Sequence, residues 1–168
     1  MANRVRRTIY KFRRLRSIVT IELLRRIYFS IVNSLVSYGI LAWGGAYAVH
    51  CSKLETALRS VLRVAMSRPY RHPSIGLFDE LKVPTMTYLY TRQLLLYRHS
   101  VSRPTDYVSH SKNTRLAEGH NLKTLNCKSS LFLTSHTYKS IKAYNRLPNK
   151  IKQIKNKNKF EKMIKTYI

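Results

Sequence analysis

The chain has 168 residues, of which 32 are lysine or arginine and seven are aspartate or glutamate, and its formal net charge is +25 at pH 7. A hydrophobic fraction of 44% supplies enough apolar side chains for one compact domain, or for a helical core with a looser appendage, and argues against full disorder. The charge is unusual for a metabolic enzyme and favours a polyanionic partner: RNA, DNA or an anionic bilayer.

The first predicted element is a cationic amphipathic helix over residues 3–16. Its apolar side chains, Val5, Ile9, Phe12 and Leu15, recur at helical spacing, and basic side chains fill the other face. The stretch contains seven basic residues and no acidic one. Such a face can be simply solvated, but its like charges cost stability unless a polyanion neutralises them. We therefore expect this helix to contact phosphates through Arg6, Arg7, Lys11, Arg13 and Arg14.

A longer helix is predicted from Thr20, its N-cap, to about Trp43. Its expected buried stripe consists of Leu24, Ile27, Tyr28, Ile31, Leu35, Tyr38 and Ala42, widened by Val32, Val36 and Ile40. Residues 27–49 carry no charge, which would also fit a membrane span behind a basic flank. A polar seam along the helix lowers its hydropathy, so a helix inside a soluble core is the favoured interpretation. The seam consists of Ser30, Asn33, Ser34 and Ser37.

Three further helices are predicted before residue 102. Ser52 and Glu55 match a capping box for a helix that ends near residue 67, a short helix begins at Ser74, and Thr85 caps a helix to about residue 101. The expected core residues of these helices are Leu54, Leu58, Val61, Leu62, Ala65, Ile75, Phe78, Leu81, Met86, Leu89, Tyr90, Leu94 and Tyr97. Between the helix that ends near residue 67 and the short helix at Ser74 lies a second predicted contact with nucleic acid, made by Tyr70, Arg71 and His72.

The remaining third of the chain changes character twice. Residues 102–136 are polar and predict a long loop with one short strand near residues 131–133. Helices resume at 137–147 and at 158–167, and the last is expected to bury Phe160, Met163, Ile164 and Tyr167. The predicted fold is mostly α, a small helical bundle followed by a loop-rich basic region and C-terminal helices. Its expected segments are a helical region at 1–68, a helical extension at 69–101, a loop-rich linker at 102–136 and basic helices at 137–168.

The sequence offers no pattern for a catalytic or metal centre. Asp79 and Glu80 are neighbours on a helix and point in different directions, so they cannot share a cation as the carboxylates of two-metal polymerases and nucleases do. Cys51 and Cys127 lack metal-ligand spacing, and no two histidines are four residues apart. We therefore expect no catalytic residue, no metal and no cofactor. Without a recognisable signal peptide, a nuclear or cytoplasmic location is expected, and not secretion.

Several short motifs follow one another in order along nearly the whole chain. They are Tyr38-Gly39 with Trp43-Gly44, His72 with Leu77-Phe78-Asp79-Glu80-Leu81, Asn113-Thr114-Arg115, Tyr144-Asn145-Arg146-Leu147-Pro148, and Phe160-Glu161-Lys162. Together with the basic helix before them, their order and spacing resemble the thumb and tail of non-LTR (LINE-type) retrotransposon reverse transcriptases of the jockey and CR1 groups. One departure is Tyr144, which stands where this family usually has tryptophan.

The resemblance implies a C-terminal piece of an RNA-directed DNA polymerase with a thumb-like helical bundle. The catalytic palm and its Asp-Asp motif are absent, so the piece would bind RNA, DNA or an RNA–DNA duplex without polymerising. It would work with a palm-containing polymerase chain, and Arg115 joins the candidate contacts. Two alternatives stay open: a membrane-associated basic protein that spans the bilayer with residues 27–49, and a degenerate element copy with no selected function.

Overall fold

The computed structural model describes residues 1–103, 106–108, 120–124, 126 and 129–168, and this part of the chain is mostly α-helical, as predicted. It divides into two compact units, the first formed by residues 1–40 and 46–89 and the second by residues 41–45 and 90–168. Strand pairing within the described ranges is limited to a single antiparallel bridge between Tyr107 and Leu122.

The helices of the described residues range from four to 18 residues in length. In chain order they are α1 (Ala2–Leu15), α2 (Ile21–Ile27), a π-helical segment (Tyr28–Asn33), α3 (Ser34–Ser37), α4 (Ile40–Trp43), α5 (Ala48–Ala65), α6 (Leu77–Glu80), α7 (Met86–Val101), α8 (Ser130–Thr134), α9 (His136–Asn145), α10 (Asn149–Lys152) and α11 (Lys157–Tyr167).

The first unit is built on the packing of α1 against α5. The apolar stripe of α1 predicted from the sequence is confirmed at Val5 and Phe12, which are completely buried, whereas Ile9 and Leu15 are partly buried. The predicted core residues of α5 are buried as well: Leu54, Leu58, Val61, Leu62 and Ala65. At one end of the pair, Arg16 Nη1 donates a hydrogen bond to the carbonyl oxygen of Val64 over 3.5 Å.

Residues 21–43 are helical, as predicted, but not regularly so. Residues 28–33 form a π-helix, and the chain turns at Tyr38 and Gly39, where Gly39 adopts a φ of +61°. A π-helix holds more residues per turn than an α-helix, so side chains four residues apart stay on one side. The buried side chains accordingly recur every fourth residue, at Leu24, Tyr28, Val32, Val36 and Ile40.

These irregularities overturn part of the predicted stripe. Tyr38 is 81% exposed and Ala42 is exposed, so their predicted burial is wrong, as is an unbroken helix through residues 38–39. The predicted polar seam does reach the surface at Ser30 and Ser34, whose hydroxyls donate to carbonyl oxygens of the preceding turn. Within the described part of the chain, no helix is both long enough and apolar enough to cross a bilayer.

The predicted capping box is also wrong. Helix α5 begins at Ala48, so Ser52 lies within its second turn and its hydroxyl donates to the carbonyl oxygen of Val49 over 2.9 Å. Glu55 pairs instead with Arg59, one turn further along, at 2.7 Å. The cap at Thr85 is confirmed, since its hydroxyl oxygen accepts from the amide of Tyr88 at 3.2 Å.

Three other local predictions fail. Helix α6 begins only at Leu77, which leaves Ile75 94% exposed, although Phe78 and Leu81 are buried as predicted. The predicted strand near residues 131–133 is wrong, because this stretch is helix α8. On α11, Phe160 and Ile164 are fully buried, whereas Met163 and Tyr167 are 42% and 51% exposed, so their predicted burial is wrong.

The second unit has its own hydrophobic core, which consists of Leu95, Leu122, Ile141, Tyr144, Leu147, Ile151, Phe160 and Ile164. Asn145, which follows the core residue Tyr144, uses its side-chain amide to bond both the N–H and the C=O of Leu122. Its Oδ1 accepts from the Leu122 amide at 2.8 Å, and its Nδ2 donates to the Leu122 carbonyl at 3.0 Å. Tyr144 and Asn145 of this motif therefore stabilise the fold.

Replacing Asn145 with alanine is expected to lower the free energy of unfolding by about 2–4 kcal/mol. The change leaves a buried N–H and a buried C=O of Leu122 without partners, and each such group costs about 1–3 kcal/mol. Urea unfolding followed by circular dichroism measures the loss. The matched control is Asn149→Ala at an exposed position, which should change stability by less than about 0.5 kcal/mol. An Asn145→Ala protein as stable as this control would contradict this stabilising role.

Candidate nucleic-acid interface

Six basic side chains lie on the solvent-exposed side of α1, and we call this set the α1 cationic face. It consists of Arg4, Arg6, Arg7, Lys11, Arg13 and Arg14, all of them exposed. The residues form three pairs seven residues apart, which places two charges of each pair about 10.5 Å apart along the helix axis. All five residues predicted from the sequence on this helix belong to the face, which adds Arg4.

No carboxylate of the described residues lies within ion-pair distance of the α1 cationic face. The ion pairs of that part of the chain are Arg59–Glu55, Arg68–Glu80, Arg92–Glu161, Arg98–Asp106 and Lys165–Glu161. Helix α1 also has no acidic residue in its first turn to oppose the charge. Six cations on one short helix therefore repel one another and leave their hydrogen-bond donors available to an external anion.

An aromatic side chain lies at the centre of this face. At about 100° per residue, Tyr10 falls between Arg6 and Arg13 on one side and Arg7 and Arg14 on the other. Its ring is 62% exposed, and the guanidinium carbon of Arg14 lies 5.6 Å from the ring centroid. A ring held among arginines can stack on a base or a sugar while its neighbours contact phosphates. The sequence already sets Tyr10 apart from the helical tyrosines that lie on apolar stripes, such as Tyr28 and Tyr90, although Tyr10 was not one of the predicted contacts.

The second predicted contact lies in the loop between α5 and α6. Tyr70 is 90% exposed and Arg71 is exposed, whereas His72 is partly buried. The backbone of His72 is fixed twice: its amide donates to the Pro69 carbonyl at 3.0 Å, and its carbonyl accepts from Nε of Arg63 at 3.1 Å. The loop therefore presents Tyr70 and Arg71 from a braced backbone, and His72 contributes to that brace.

The loop begins where α1 ends. The hydrogen bond from Arg16 to Val64 places the last turn of α1 beside the last turn of α5. The loop follows α5 directly and carries Arg68, which pairs with Glu80. Both predicted contacts in this unit are thus anchored to the same helix pair. Arg115, the remaining predicted contact, lies outside the described residues.

The acidic residues do not assemble a reactive centre in the described part of the chain. Asp79 is exposed, and its neighbour Glu80 is engaged by Arg68. A pocket of about 320 Å³ in the first unit has both signs of charge in its lining, which consists of Ile21, Glu22, Arg25, Arg26, Glu80, Leu81 and Lys82. Within the described ranges, no cluster of three or more histidine, cysteine, aspartate or glutamate side chains could hold a metal ion.

The chemistry open to this surface is electrostatic. Arginine presents a planar fork of donors to phosphate oxygens, and an exposed tyrosine supplies a flat apolar surface. Neither the α1 cationic face nor the loop with Tyr70 and Arg71 forms a pattern that reads base edges. The arrangement therefore suits contact with a charged backbone better than recognition of a base sequence. In comparisons with known proteins, no family model, no curated protein and no solved structure matched this chain.

Proposed function

We propose that this chain binds the phosphate backbone of RNA or of an RNA–DNA duplex through the α1 cationic face, and that it catalyses no reaction itself. The observation that carries the proposal is the set of six exposed cations on one helix, with no carboxylate partner among the described residues. A protein keeps such a surface at a cost in stability, and a polyanion repays that cost when it binds.

An A-form duplex suits this surface better than a specific DNA site. The wide, shallow minor groove of A-form duplexes is recognised by shape and by contacts with the sugar–phosphate backbone, and these contacts need no base-reading side chains. The tyrosine at the centre of the face adds a stacking surface for a strand end or an unpaired base. The proposed ligand is therefore a template–primer or a structured RNA.

The resemblance stated above supports a more specific role. In the reverse transcriptases of that group, the basic thumb helices hold the template–primer for the palm, and this chain would act as such a thumb and tail. Two of the motifs that carry the resemblance have structural roles in this chain. Gly39 supplies a left-handed turn, and Leu77, Phe78 and Leu81 lie in the core. Under this proposal a palm-containing polymerase chain is the protein partner.

A salt titration of binding tests the proposal. Labelled RNA–DNA duplexes of two unrelated sequences are titrated with the chain between 50 and 200 mM salt. Six phosphate contacts on the α1 cationic face alone predict a slope of log K against log salt of about −5 or steeper and an affinity loss of about 10³-fold or more over this range. The two sequences should bind within a few-fold of each other. A monodisperse, folded chain that binds neither duplex at 50 mM salt would refute the proposed function.

A further inference from the structure

Six exposed lysines lie near the end of the chain, in the second unit, and we call this set the lysine surface. It consists of Lys150, Lys155, Lys157, Lys159, Lys162 and Lys165, all of them exposed. Only Lys165 has a carboxylate partner among the described residues, at 3.4 Å from Glu161. None of these lysines was a predicted contact, because the sequence alone gives no reason to separate a functional charge run from a solvated one.

Helix α11 holds three of these lysines away from the core. Its buried residues Phe160 and Ile164 lie on one side, and the ring of Phe160 stacks on His99 with centroids 4.0 Å apart. At about 100° per residue, Lys159, Lys162 and Lys165 project from the opposite side. They are three residues apart and therefore neighbours on the helix surface, where like charges repel.

The acid on this helix cannot compensate the charge. Glu161 accepts from Arg92 at 2.5 Å and also faces Lys165. The hydrogen bond from Arg92, followed by that from Lys165, lowers the pKa of Glu161 below its usual value. One carboxylate shared by two cations leaves Lys159 and Lys162 uncompensated, so the lysine surface resembles the α1 cationic face in its unpaired charge.

A nearby lysine shows the opposite arrangement and has a structural role. Lys152 is 8% exposed, and its Nζ donates to Asn121 Oδ1 at 2.8 Å and to the Asn145 carbonyl at 3.0 Å. Burial lowers the pKa of Lys152. The fold therefore uses one lysine of this region internally and leaves the other six in solvent.

We propose that the lysine surface is a second binding surface for nucleic-acid backbone, independent of the α1 cationic face. The ligand class rests on the proposed function, but the surface lies in the other compact unit and has a different chemistry. Arginine orients a phosphate through two parallel hydrogen bonds, whereas lysine acts as a mobile point charge. The lysine surface thus adds affinity and salt dependence, while the α1 cationic face adds orientation.

A nucleic acid fits the lysine surface better than a lipid bilayer does. A helix that lies on a membrane inserts an apolar side into the bilayer. The apolar side of α11 is already used in the core, where Phe160 and Ile164 are completely buried. Beside this core, Met163 and Tyr167 are 42% and 51% exposed, but the side of the helix opposite Phe160 and Ile164 presents Lys159, Lys162 and Lys165, which suit a hydrated phosphate backbone.

The test removes three charges from the lysine surface of the full chain with Lys155→Gln, Lys159→Gln and Lys162→Gln. Binding of an RNA–DNA duplex is measured across the salt range. Three lost contacts predict a slope that is shallower by about 2.7 and an affinity lower by on the order of 10²-fold at ~0.1 M salt. The control variant, Lys53→Gln, Lys82→Gln and Lys142→Gln, removes the same net charge from exposed positions outside both surfaces.

Thermal melting separates a binding surface from a solvated one. Relief of like-charge repulsion should raise the melting temperature of the unbound lysine-surface variant, and a binding surface should lose affinity at the same time. If affinity and slope equal those of the control variant, the inference is wrong, whatever the melting temperature. It is equally wrong if the variant keeps its affinity for the duplex and loses binding only to phosphatidylserine vesicles.

The outcomes also separate this inference from the proposed function. If charge removal on α1 weakens duplex binding and charge removal on the lysine surface does not, only the second surface is refuted. If the lysine-surface variant loses affinity and a variant with glutamines on the α1 cationic face does not, the binding surface has been assigned to the wrong unit. If neither variant changes the affinity or the slope, both proposals fail.

Discussion

Replacing Arg6, Arg7, Arg13 and Arg14 together with glutamine is expected to weaken binding to an RNA–DNA duplex by on the order of 10³-fold at ~0.1 M salt. Each lost phosphate contact releases about one counterion fewer, so the slope of log K against log salt should become shallower by 3 to 4. Fluorescence anisotropy with a labelled duplex, repeated between 50 and 200 mM salt, gives both quantities. The side chains are exposed, so the substitutions should leave the fold intact.

The control keeps the charge and changes only the shape of the donor. Arginine-to-lysine substitutions at the same four positions should leave the salt slope unchanged, because the number of cations is the same. The affinity should still fall several-fold, since lysine cannot form the paired hydrogen bonds that arginine makes with a phosphate. A glutamine variant that binds like the wild type would show that α1 does not contact the backbone. A lysine variant as weak as the glutamine variant would show that charge is not the main contribution.

Side-chain periodicity was sufficient to predict those helices that pack by simple amphipathicity. The buried residues of α1 and α5 follow the 3.6-residue period, so the sequence located Val5, Phe12 and Leu58 in the core before any packing was known. Local caps were predictable where the capping side chain starts the helix, as at Thr85. In these segments the local preference and the tertiary packing agree, and this agreement is what makes a segment predictable.

The errors arise where tertiary packing overrides a local rule. The π-helical segment changes the period to four, so Tyr38 turns outward although a regular α-helix would bury it. Ser52 and Glu55 have the spacing of a capping box, but α5 starts a full turn earlier and uses Glu55 for an ion pair. Ile75 is apolar and in helical register, yet no helix forms there to bury it. A single sequence contains no record of these long-range choices.

Some features of the candidate site follow from local sequence pattern, and others depend on tertiary contacts. Exposure of Arg6 or Arg13 follows from the position of the core on α1, so the sequence predicted that exposure directly. Two hydrogen bonds could not be predicted in this way. Arg63 bonds the carbonyl of His72 across the loop that carries Tyr70, and Asn145 bonds Leu122, which lies 23 residues earlier in the chain. Such bonds depend on the tertiary placement of the loops, so no local sequence pattern predicts them.

The apolar side of α1 should matter as much as its charged side. Phe12→Ala is expected to lower the free energy of unfolding by about 3–5 kcal/mol, the usual cost of emptying a fully buried phenylalanine site. Phe12 is completely buried and contacts Tyr28 edge to face, with centroids 6.4 Å apart. Phe12→Leu keeps most of the volume and should cost less than about 1.5 kcal/mol. Urea unfolding measures both, and an alanine variant within 1 kcal/mol of the wild type would contradict the packing of α1.

This variant also separates two ways of losing affinity. Phe12→Ala keeps every cation, so it can weaken binding only by lowering the fraction of chains with α1 docked, and the apparent Kd rises in inverse proportion to that fraction. The salt slope of the docked form should then match the wild type, unlike that of the glutamine variant. Duplex at 100 times its Kd should recover about 2.7 kcal/mol of stability, because it binds only the folded chain. A duplex that binds Phe12→Ala normally yet stabilises it by nothing would show that the contacts do not require a folded α1.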